Sequence, residues 1–216
     1  MTCAICGIRK PKRHCPGVHG DICTVCCATE REQTVDCPLD CEFLQAAHRH
    51  EKPPELDPAK LPDRGIEMTD EFIDEHQMLV LLLGSAVLQG ALKSGGATDH
   101  DAIEALDALI KTYKTLDSGL YYESVPNNPY AAQIFQNVQA HVADLRRRDS
   151  EARGGASTLR DAQVYAALTI LERLAYANSN GRRQSRSFLD FLGRAGIGLL
   201  PDLEDSPEPQ EPRVIL

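Results

Sequence analysis

The chain has 216 residues, 23 Lys and Arg against 32 Asp and Glu, and a formal net charge of −9. A composition that is 42% hydrophobic and 25% charged, with no Trp, points to a globular protein with room for one ordinary domain and a small module. Residues 1–52 balance seven basic against seven acidic side chains, so the whole acidic excess falls in residues 53–216. Such a body lacks the basic footprint that a phosphate backbone requires.

All eight cysteines lie in the first 41 residues: Cys3, Cys6, Cys15, Cys23, Cys26, Cys27, Cys37 and Cys41. A disulfide framework needs an oxidising compartment, and the opening MTCAIC has no charged-then-apolar export pattern. A thioredoxin-like redox site needs one Cys-x-x-Cys within an α/β pattern, which the downstream sequence does not supply. Metal binding fits the spacing. The pairs Cys3/Cys6 and Cys23/Cys26 each place two residues between thiolates, so both sulfurs reach one ion while backbone N–H groups point at them. Eight thiolates make two four-coordinate zinc sites, and a segment too short to build its own core would rely on the metal to fold. One assignment interleaves Cys3, Cys6, Cys23 and Cys26 on one ion with Cys15, Cys27, Cys37 and Cys41 on the other. A second assignment puts His19 in the second site and leaves Cys27 spare. An iron–sulfur cluster is the remaining metal alternative.

Read with His19 as a ligand, residues 3–41 resemble a RING-type cross-brace finger. The apolar Ile5 inside CAIC and Pro38 inside CPLDC carry the likeness. The resemblance implies two structural zinc ions and, in ligase-type fingers, a surface for a ubiquitin-conjugating enzyme. Two departures stand out: Cys37 and Cys41 have three residues between them, and the next position, often basic in ligases, is Glu42. The run ICTVCC, then RE, then CPLDC and a short helix is also similar to a cysteine-rich N-terminal module of uncharacterised bacterial proteins, which implies no activity.

Further along, GIRKPKRH gathers Arg9, Lys10, Lys12 and Arg13, either a phosphate-contacting loop or a solvated turn that offsets anionic zinc–thiolate centres. EFLQAAHRHEK reads as a short helix with Phe43 and Leu44 against the module. His48 and His50, two apart, fall on different faces and do not ligate together. KPPELDPAKLPDRGI, residues 52–66, is a proline-rich linker. Thr69 caps a helix to about Lys93 whose apolar run, residues 78–92, is too short to span a bilayer and reads as a buried central helix. Helices follow over about 99–117, over 129 to Arg146–Arg148 behind Asn128 and Pro129, over 158–177 and over 184–193. No strand is expected after residue 66, and the tail 201–216 is acidic, proline-rich and disordered.

The expected architecture is mostly α: a two-zinc module over 1–51, a linker over 52–66, an all-α bundle of about five helices over 67–200, and the tail. No catalytic constellation is legible in the body. His76, His100 and His141 read as surface or satisfied histidines, and Tyr121 and Tyr122 with Glu123 form the most concentrated recognition patch. The expectation is a cytoplasmic zinc-binding interaction or adaptor protein without enzymatic activity, with a protein partner and no membrane. The rivals are a RING-like ligase, a redox enzyme, and a nucleic-acid-binding finger using Arg9, Lys10, Lys12, Arg13 and Arg31.

Overall fold

In the computed structural model, residues 2–52, 55, 61–62, 64–117, 119 and 123–195 are described. Tyr121, Tyr122, the tail 201–216 and most of the linker lie outside them.

The N-terminal module starts with a small antiparallel sheet, β1 (Arg13–Cys15) and β2 (Gly20–Ile22), in which Arg13 faces Ile22 and Cys15 faces Gly20. The connecting turn has no room for a side chain at Gly17, where a Cβ would stand 2.2 Å from the Asp36 carbonyl oxygen. Cys15 is thereby carried against the Asp36–Cys37 stretch. Helix α1 (Thr24–Glu30) is capped by Cys23, whose sulfur accepts the Cys26 backbone N–H. Helix α2 (Glu42–His50) begins after Cys41. The module's interior consists of Cys3, Cys15, Ile22, Cys23, Cys26, Val35, Cys37 and Leu44, with five of these eight buried residues being cysteines. That is too little hydrocarbon to hold a fold by itself.

The body is a helical bundle. α3 (Asp70–Ser94) is capped by Thr69, whose hydroxyl accepts the Phe72 N–H, and closes at Gly95 with φ 71°. α4 (Asp99–Asp117), α5 (Pro129–Arg153), α6 (Asp161–Asn178) and α7 (Ser187–Arg194) complete it. Asn128 caps α5 with Pro129 at its first position, as the sequence implies. α3 packs on α5, α6 and α7, and α4 on α5 and α6. Leu83, Val87, Leu106, Ile110, Ile134, Phe135, Leu168, Leu171 and Phe188 fill the space between them. By length and composition α3 is apolar enough to cross a membrane, but half of its most apolar stretch is buried among the other helices. No strand occurs after residue 66 among the described residues.

Two local readings change. α5 does not stop at Arg146–Arg148 but continues to Arg153, where Gly154 turns left-handed. Arg147 pairs with Asp144 and Glu151, Arg148 with Asp144 and Arg153 with Asp149, so three- and four-residue ion pairs carry the helix onward. β1, β2 and α1 are elements that the cysteine spacing did not announce, because ligand positions dominate the pattern there.

Candidate metal centre

Cys3 and Cys6 lie in the first turn of the chain, Cys23 caps α1 and Cys26 sits within it. Their four sulfurs all lie within 4.8 Å of one another. Backbone amides aim into the cluster: the Cys23 N–H donates to the Cys3 sulfur at 3.2 Å and the Cys26 N–H to the Cys23 sulfur at 3.4 Å. The Cys6 amide, helped by those of Cys23 and Ile5, pulls the Cys3 thiol down to about 6. The amides of Arg9 and Ile8 lower Cys6, whereas burial and the neighbouring sulfurs push Cys26 up to about 12. Four sulfurs side by side, three of them on buried residues, cannot all be anionic without a cation. A divalent ion that draws off the remaining protons resolves that conflict, and zinc is the ion suited to four thiolates.

The other thiols are arranged differently. Burial pushes the Cys37 thiol up to about 11, and charge on Cys15 and Cys41 pushes the same way, so these three sulfurs form one electrostatic neighbourhood. Cys27 faces two guanidinium groups, with Arg13 Nη1 at 3.6 Å and Arg31 Nη2 at 3.9 Å from its sulfur. His19, held in the left-handed region at φ 52°, lines a groove beside Asp36 and Pro38. Among the described residues, Cys15, Cys37 and Cys41, with or without Cys27 or His19, do not come together in a group of three as close as the first.

Three of the basic side chains that might have faced a phosphate backbone are used locally. The Cys23 and Cys6 thiols stand near enough to Arg9 to raise its pKa, and Arg13 lies 4.0 Å above the Phe43 ring while also reaching Cys27. Arg31 shares that thiol. Lys10 and Lys12, the other two basic residues of the loop, are exposed.

A buried polar cluster joins module and bundle, and no sequence motif pointed to it. His48 on α2 sits between Glu32 and Asp190: Nδ1 is 3.1 Å from Asp190 Oδ2, and Nε2 is 3.1 and 3.2 Å from the Glu32 oxygens. Burial alone would lower the pKa of His48, but the two carboxylates lift it to about 9, which makes it an imidazolium. Glu32 also accepts from the Arg186 backbone N–H at 2.6 Å and from Asn180 Nδ2 at 2.7 Å. Glu51 comes close enough to Glu32 and His48 to form a three-ligand set. It is already bound, however, by Arg182 at 2.9 Å and Asn180 at 3.2 Å. Protonated His48 and Arg182 supply the positive charge, so these residues make an ion-pair network rather than a second metal site. One signal was available in the sequence: His48 lies four residues after the buried Leu44, on the same helix face.

The body's own histidines are as expected. His76 and His141 hydrogen-bond backbone carbonyls one turn earlier, and His100 is exposed. Comparisons with protein-family models, curated proteins and solved structures find no match to this chain.

Proposed function

We propose that the chain is a non-enzymatic zinc-binding interaction protein, in which thiolate-held zinc shapes a rigid module that presents a surface to a protein partner in a reducing compartment. The observation that carries this reading is the set Cys3, Cys6, Cys23 and Cys26, all but the half-buried Cys6 being buried, with all four sulfurs within 4.8 Å. Four protein ligands close a tetrahedral site, and a closed site has no position for substrate or water, so its role is structural. The neighbourhood of Cys15, Cys37 and Cys41 would take a second zinc, with Cys27 or His19 moving in as the fourth ligand.

The test is metal content per chain by native mass spectrometry on freshly purified protein, with its visible spectrum. Two zinc ions and a colourless solution are expected, falling to one ion in Cys3→Ser. Iron with a brown sample would replace the reading by electron transfer or redox sensing. A zinc-loaded chain that captures no protein partner by crosslinking in its native cell would remove the adaptor role.

A further inference from the structure

We infer that the groove between module and bundle, together with the basic loop beside it, is a docking surface for the chain's own continuation, residues 196–211. A protein partner of the module then has to displace that stretch, a consequence that rests on the reading of the module as an interaction surface; the docking itself does not.

The groove has a volume of about 950 Å³. Pro38 and Leu39 line it from the module, Leu88 and Leu92 from α3, and Leu189 from α7. Leu92 is 56% exposed, a large apolar side chain open to water although its neighbours Leu88 and Ala91 are buried. The charges along the groove balance. Arg186 pairs with Asp36 and Arg194 with Asp190, while Arg49 and Asp40 carry opposite signs. Such a surface suits an apolar segment without charge of its own.

The sequence supplies one at this place. Gly193 and Arg194, in the last turn of α7, line the groove, and Ala195 follows them. From there the chain continues as GIGLL, residues 196–200, five uncharged residues that include Ile197, Leu199 and Leu200. Tethered at the groove wall, they have an effective concentration there on the order of millimolar, so modest hydrocarbon contact is enough to seat them.

The next stretch, residues 201–211, has five acidic residues, Asp202, Glu204, Asp205, Glu208 and Glu211, and no basic one. Its counterpart lies on the module. Pro16 and His19, in the turn between β1 and β2, line the groove, and β1 runs back from that turn to Arg13. Lys12 and Lys10 precede it and are exposed, and Ile8 in the same loop is 84% exposed. Asp202 stands seven residues beyond Ala195 and Glu211 sixteen, which is at most about 25 and 55 Å of extended chain. Lys12 is four residues from Pro16, at most about 14 Å. The acidic stretch therefore reaches the basic loop after the apolar one has crossed the groove, and order along the chain matches order on the surface.

The experiment is zero-length carbodiimide crosslinking of the full chain, read by mass spectrometry on an equal mixture of isotopically labelled and unlabelled protein, with zinc content measured on the same sample. Amides joining Lys10 or Lys12 to Asp202, Glu204, Asp205 or Glu208 within a single chain are expected. Leu92→Asp, a change at an exposed position, should cut their yield about threefold or more, as should about 0.5 M salt, which screens the loop. Unchanged yield in Leu92→Asp would show that the groove is not the seat and overturn the inference. Crosslinks between labelled and unlabelled chains would give the surface to a second copy and overturn docking within one chain. Absence of loop-to-tail crosslinks in zinc-loaded protein would overturn the docking and leave the zinc reading standing. A metal-free chain that still forms them would overturn the zinc reading and not the docking.

Discussion

Glu32, His48 and Asp190 show how much depends on single buried charges. The folded pKa of His48, about 9, lies above its ordinary 6.5. Its contribution to stability is therefore complete below 6.5 and is lost as pH rises through 9. Zinc-loaded protein should melt at progressively lower temperature from pH 7 to 9.5, and His48→Gln should flatten that slope; equal slopes would show that the imidazolium is not the group responsible. Removing one partner of such a buried pair costs about 3–5 kcal/mol, the loss expected for His48→Gln at pH 6.5 by denaturant titration. Asp99 is a second case. Its buried carboxylate accepts the Ser185 hydroxyl and the Phe188 and Leu189 amides, so it caps α7 from another helix. Asp99→Ala should cost about 1–3 kcal/mol in chemical denaturation. Neither role is legible from the residue alone, because Asp190 stands 142 positions from His48, and Ser185 stands 86 from Asp99.

At the scale of elements, ends were more legible than interiors. Thr69 and Asn128 cap α3 and α5 as local chemistry dictates, since a side-chain oxygen reaches the exposed amides only from that position. The extension of α5 to Arg153 was missed because a run of arginines matches both a helix end and an ion-paired surface. The close crossing of α3 and α5 at Gly90 is equally hidden: a Cβ there would lie 2.9 Å from Ile134 Cα. Gly90→Ala should therefore destabilise the bundle by about 1–3 kcal/mol in spite of alanine's better helix propensity. A more stable Gly90→Ala protein would mean that the two helices separate without cost.

At the scale of the whole molecule, long-range ion pairs hold segments that the sequence reads as separate. Arg64, at the end of the expected linker, pairs with Glu172 on α6 and Asp107 on α4, and its carbonyl accepts the Tyr165 hydroxyl. Arg64→Met leaves the buried Glu172 carboxylate without its partner, and a loss of about 3–5 kcal/mol is expected by thermal and chemical unfolding. By itself the sequence determined the helical class of the body, the caps of its long helices and the cysteine pairs of the first metal cluster. Those features depend on residues within one or two turns of each other, where spacing maps directly onto geometry. Only the tertiary structure decided that Arg9, Arg13 and Arg31 turn to the thiols, that Cys27 lies between two guanidinium groups, and that Glu32 and Arg186 join the module to the bundle. The joining of module to bundle depends on which distant charges share a water-free space, and the cost of burying an unpaired charge, not any local pattern, selects those partners.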